Sequence, residues 1–349
     1  MVEVSHEISR KMANMAFFCA ALVMLIHFPD GDRHGNVVSV FLWDCFPGAV
    51  LRVAVPFFFC AAGFWLAGKF KDKGWYKGAF VSRMKSLLIP YFLLNSIWFV
   101  WMLAYGGSAC PAEPGEWVHK ILMALGFVRG EYPALPHLWF IWRLFLLVLV
   151  SPICWVIIKK GRLLAYLVAM AIYILLAGRA LYVAYGGVGV PTVLTPFKYV
   201  IPPVGLSGFM VGATIRTYGV PRIKMRFGAL LVCLGFVLLY LSHSVFDGVA
   251  AKVVLFHAGM PAFLLGVWTC MPAIAAPSWI VRNTFAIYIF HWMLFWFVDQ
   301  AFALCGCRNV LNTVWGFLFL PCGAVVVSCG LAELLKRSKM LGMLVLGGR

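Results

Sequence analysis

Ten runs of roughly twenty mostly apolar residues constrain this chain more than any other feature, because about 20 such residues make a helix long enough to cross a bilayer. They cover residues 12–28, 50–70, 87–105, 137–158, 163–182, 199–215, 227–241, 249–271, 279–298 and 310–335. Composition agrees: 63% of the residues are hydrophobic and 12% charged, against about 45–50% and about 25% in soluble domains. A soluble fold of this length cannot hide so much apolar surface. A soluble enzyme, a disordered chain and a secreted disulfide scaffold are thereby excluded. The expected fold is all-α, a polytopic transmembrane helix bundle of about ten spanning helices, forming one domain over residues 1–349. The segment 37–48 is too short to span and is expected at the membrane surface. The first run does not read as a cleavable signal, since His27-Phe28-Pro29-Asp30 follows it without a small-residue cleavage site.

The chain carries 29 Lys and Arg against 12 Asp and Glu, a net charge of +17. In a soluble protein that excess points to nucleic acid. Among spanning helices it is the pattern in which cations hold cytoplasmic loops against the membrane lipids, so no nucleic-acid partner is expected. With the amino terminus inside, twenty cations fall on inner segments, seven on outer ones, and Arg52 and Arg143 within spans. Both termini are therefore expected to be cytoplasmic. Most of the 11 cysteines lie in apolar runs, where the thiol behaves as a small hydrophobe. No cysteine spacing suits a metal, and none is expected. Cys110 has Cys305 or Cys307 as a disulfide partner if both loops face an oxidising space.

Ionisable side chains inside spans are costly and mark function. His27 ends the first run and Arg52 opens the second; His137 and Arg143 sit on the first two turns of the fourth; His291 lies inside the ninth. With the orientation above, His27, Arg52, His137 and Arg143 lie at or toward the outer face. His291 is nine residues from Arg282, about 13 Å along a helix, and so near the mid-plane. Five separated positions share one depth range, as they would around a water-filled cavity. Each has a plainer alternative. Arg52 and His137 also suit anchors that snorkel to headgroups, and His27 and His291 also suit hydrogen-bonded core histidines. Arg143, six residues into its run, is expected to face the bundle interior.

No Asp or Glu occupies the middle of a run, whereas proton-coupled transporters commonly use buried carboxylates as relays. Motifs of zinc proteases, serine hydrolases and phosphate-binding loops are absent from the sequence. The available base is imidazole, whose ordinary pKa of about 6.5 suits general acid–base work. The available electrophilic partners are guanidiniums, which hold phosphate, carboxylate or a developing oxyanion. Histidine and arginine without carboxylate or metal fit acyl transfer to a hydroxyl better than metal-assisted hydrolysis. The competing reading is a small-solute exporter or transporter built on the same bundle.

The run Val55-Pro56-Phe57-Phe58-Phe59-Cys60-Ala61-Ala62-Gly63-Phe64, preceded by Arg52, resembles the second helix of the integral-membrane acyltransferase-3 family. His27 after an apolar first helix, Arg83-x-Lys85 before Leu88-Ile89-Pro90-Tyr91, His137-Leu138-Trp139-Phe140 and Ile287-Tyr288-x-x-His291 follow in that family's order. The resemblance implies a bacterial inner-membrane enzyme that moves an acyl group, usually acetyl, from acetyl-CoA to hydroxyls of cell-surface or lipid-linked glycans. It implies His27 as the catalytic histidine, Arg52 as the group that orients the acyl carbonyl, and Arg83 and Lys85 as holders of the acyl-CoA phosphates. His137, Arg143 and His291 are further candidates around the same centre. The chain departs from the family pattern at Ala16, where many members carry arginine, at Ala62 in place of serine, and at Ser86, where the second basic residue is offset.

Overall fold

A computed structural model describes residues 4–28, 40–41, 46, 48–70, 74–105, 113–128, 132–184, 203–220, 223–244, 249–274 and 277–348. Every regular element among them is helical, because a segment in lipid must satisfy its backbone N–H and C=O groups internally. The helices are α1 (His6–Ile26), α2 (Gly48–Leu51), α3 (Ala54–Ala67), α4 (Trp75–Arg83), α5 (Ile89–Ala104), α6 (Pro114–Ala124), α7 (Trp139–Lys159) and α8 (Arg162–Ala184). They continue with α9 (Pro203–Tyr218), α10 (Met225–Ser244), α11 (Val249–Cys270), α12 (Ser278–Val281), α13 (Thr284–Leu304), α14 (Val314–Lys336) and α15 (Lys339–Leu346).

Eight stretches among the described residues are long and apolar enough to cross a membrane: His6–Ile26, Gly48–Ala67, Trp75–Ala104, Pro136–Lys159, Met225–Ser244, Ala250–Cys270, Thr284–Leu304 and Val314–Lys336. The two other expected runs are helical as α8, of 23 residues, and α9. The described apolar part of α8 is Arg162–Leu175, and α9 has 16 residues. Gly219 follows α9 at a φ of 107°, a conformation that stops a helix rather than extending it. Cys110 and most of segment 37–48 lie outside the described residues.

Lipid gives helices no hydrophobic reason to associate, so close packing between small residues has to supply it. Two helix pairs show this. α3 lies against α9 so tightly that a Cβ at Gly63 would meet the Phe209 backbone, and one at Gly212 the Cys60 backbone. α10 and α11 run antiparallel with Gly235 against the Phe263 backbone and Gly266 against that of Val232. The central group is different. α1 packs on α3 and α13, α13 packs on α14, and α7 adjoins α3 and the segment joining α4 to α5.

That joining segment, Met84–Leu88, is wound as a π-helix. Pro90, at the start of α5, has no N–H to offer the Ser86 carbonyl four residues earlier. Gly347, left-handed at a φ of 65°, closes α15 against this kink: a Cβ there would meet the Ser86 backbone.

Candidate active site

Three of the five spaced ionisable residues come together. His27 caps the carboxyl end of α1, its backbone N–H bonded to the Met24 carbonyl at 3.1 Å. His137 sits in a 3-10 turn, Pro136–Leu138, that leads into α7. His291 lies two turns into α13. Ring centroids are 5.0 Å apart for His137 and His291, 5.4 Å for His27 and His291, and 6.2 Å for His27 and His137. His137 and His291 are buried and His27 is partly so.

Backbone carbonyls fix how two of these rings are protonated. His137 Nε2 lies 3.0 Å from the Ile289 oxygen, and His291 Nδ1 lies 3.2 Å from that of Ile287. A carbonyl only accepts, so the facing nitrogen carries the proton and the opposite one keeps its lone pair. Those opposite atoms, His137 Nδ1 and His291 Nε2, are buried without a partner among the described residues. The cluster therefore offers acceptors in want of a donor, as a hydroxyl or a water would be.

The loop that delivers His137 is tied down by neutral polar side chains. The Tyr288 hydroxyl donates to the His137 carbonyl. Buried Asn95 accepts from the Leu135 N–H at 2.9 Å and donates to the Tyr91 carbonyl at 2.8 Å. The Tyr91 hydroxyl donates to the Leu125 carbonyl at 2.9 Å. Each bond satisfies a group that would be expensive to leave bare in a dry interior.

A cavity of about 320 Å³ adjoins the cluster. Arg83 and Arg282 line it, as do Tyr288 and Phe140, whose rings are 5.9 Å apart. Most of the remaining lining is apolar, with Phe58, Ala61, Ala62 and Trp65 from α3 and Leu144 and Val148 from α7. Tyr288 separates cavity from cluster, its ring 5.6 Å from that of His137 and 6.1 Å from that of His291. A ligand with an anionic head and a slender arm fits this plan.

The remaining sequence candidates lie apart. Arg52 is exposed in the turn between α2 and α3, with no ring or hydrogen-bond contact to the histidines among the described residues. Arg143 is half-buried on α7 beside Tyr91, its buried Nη1 without a hydrogen-bond partner among the described residues. Lys85 is exposed on the π-turn and does not line the cavity, whereas Arg83 does. Sequence reasoning passed over Arg282, counted only as an inner cation, and the neutral tethers Tyr288 and Asn95. It also passed over His257 in the eighth run, although that histidine was visible there. His257 Nδ1 lies 3.1 Å from the Tyr173 hydroxyl, which donates to the His257 carbonyl at 2.9 Å; its described partners are thus on α8.

Fold and site together define a multi-pass membrane protein in which a buried histidine cluster adjoins an arginine-lined cavity. A family model described as an acyltransferase domain matches residues 15–333, and the chain belongs to this acyltransferase-3 family. Its activity is acyl transfer. No curated protein and no solved structure matches the chain.

Proposed function

We propose that this chain moves an acyl group, in the simplest case acetyl, from cytoplasmic acyl-CoA to a hydroxyl of an extracytoplasmic or lipid-linked glycan, in the inner membrane of a bacterium. The observation that carries the reading is the cavity, whose lining includes a pair of arginines and the tyrosine that touches His137 and His291. The donor phosphates lie at Arg83, the pantetheine arm follows the cavity, and the thioester reaches the region of Tyr288. The acceptor hydroxyl enters from the histidine side. His27 takes its proton while the oxygen attacks the thioester carbonyl. The C–S bond then breaks, and the thiolate leaves as the CoA thiol after receiving that proton from the imidazolium. One of the bare lone pairs, on His137 or His291, accepts from the His27 N–H and so keeps the other His27 nitrogen turned to the acceptor hydroxyl. Half-buried Arg143 is the guanidinium available to the developing oxyanion. Exposed Arg52 suits the guiding of an acceptor at the surface.

The test is CoA release and label transfer from radiolabelled acetyl-CoA by purified protein in liposomes, wild type beside His27→Ala. The variant is expected to lose about 100-fold or more in turnover while melting like the wild type. Equal turnover in both removes His27 from the mechanism. No turnover in either, across a panel of glycan acceptors, removes acetyl-CoA as the donor; solute flux is then the assay that decides.

A further inference from the structure

Arg282 occupies an unusual position: it lines the donor cavity and is also gripped from outside it. Its Nε lies 3.2 Å from Glu333 Oε1 on α14. The same carboxylate oxygen accepts from Asn283 Nδ2 at 2.8 Å and lies 3.9 Å from Lys336 Nζ. Lys336 in turn donates to Asn283 Oδ1 at 2.7 Å. The Arg282 and Glu333 side chains are 60% and 46% exposed, and an ion pair so open to water contributes little to stability. It is therefore easily exchanged. The exchange also strands no charge, because Asn283 and Lys336 continue to satisfy Glu333 when the guanidinium leaves. Arginine is the side chain best suited to accept a phosphate in place of a carboxylate, since its planar fork matches both.

We infer that Arg282 is a second donor-binding residue, which exchanges Glu333 for the phosphate groups of acyl-CoA when the donor enters beside Arg83. Glu333 is then a positioning residue: it parks the guanidinium at the mouth of the empty cavity and competes with the incoming phosphates. This rests on the proposal that the donor is acyl-CoA. It adds the group that distinguishes the full nucleotide-bearing donor from its bare thioester arm.

The experiment compares acetyl-CoA with S-acetylpantetheine, which carries the same thioester but none of the phosphates, in liposomes of wild type, Arg282→Ala, Arg282→Lys and Glu333→Gln. Wild type is expected to show a much lower KM for acetyl-CoA. In Arg282→Ala that preference shrinks about tenfold, as the loss of a charge-assisted contact implies, with the change in KM larger than that in kcat. Arg282→Lys restores part of it. Glu333→Gln lowers the KM for acetyl-CoA by about threefold by removing a competitor, and leaves that for S-acetylpantetheine in place. A donor preference unchanged in Arg282→Ala overturns the inference and leaves the acyl-CoA reading standing. So does a KM for acetyl-CoA that rises in Glu333→Gln, which would make the ion pair a structural tie. If wild type turns over neither donor, the acyl-CoA reading fails, and the role of Arg282 fails with it.

Discussion

The pair α10 and α11 and the pair α7 and α13 are held by different means. Between α10 and α11 the contact is mainly steric, glycine against backbone; the side-chain oxygens of Ser242 and Thr269 bond to carbonyls of their own helices, and one weak thiol bond, Cys270 to the Met225 carbonyl at 3.9 Å, crosses at the end of the pair. Between α7 with its leading turn and α13, the ties are specific polar bonds, Tyr288 to the His137 carbonyl and His137 to that of Ile289. Close packing of small residues supplies attraction without fixing any chemical group in place. A buried polar bond adds modest net stability but fixes one geometry, because its alternative is an unsatisfied group. The molecule thus uses packing where it needs a scaffold, and tethers where it needs a particular atom at a particular place.

That contrast can be broken most severely at the glycine seams. Gly235→Leu drives a side chain into the Phe263 backbone and is expected to destabilise by about 3 kcal/mol or more. Size-exclusion in detergent should show little folded protein, and whatever folds should keep its turnover per molecule. Asn95→Leu comes next: it leaves the buried Leu135 N–H without its acceptor, at about 1–3 kcal/mol. Here both the melting temperature and the turnover of the folded fraction should fall. Tyr288→Phe removes one bond to a carbonyl, about 1 kcal/mol in stability. It should nevertheless slow turnover about tenfold, since small misplacements of a reacting group are costly. A Tyr288→Phe enzyme as fast as wild type would show that the tether serves stability alone. At the small end, Lys11→Gln removes an i,i+4 pair with Glu7 at 3.7 Å; the melting temperature should move by no more than about 0.5 kcal/mol implies.

The helices were legible because the length of an apolar run is set by the bilayer, whatever packs beside it. The run at 199–215 folds from Pro203 as α9, whose glycines serve its contact with α3. The histidine cluster was legible from depth alone, since charged or titratable groups in lipid are few enough for coincidence to be informative. Depth does not say which way a side chain faces. Arg52 and Lys85 share motifs with residues of the site and lie exposed. Arg282 was illegible for a different reason: a cation that orients a helix and one that lines a cavity look the same in a sequence. Tyr288 and Asn95 carry no charge to stand out against their apolar neighbours, and only the carbonyl and N–H they reach reveal them.

The π-wound turn at Met84–Leu88 bears on how this gene tolerates change. A π-turn holds one residue more than the α-turn it replaces, so the segment carries a residue to spare between Arg83 and α5. Removing one residue from that stretch re-winds it as an α-turn that sweeps about the same angle with one residue fewer, so Arg83 keeps its bearing relative to α5. For this segment, a one-codon deletion is therefore expected to be milder than the same deletion in the α-helical turns on either side.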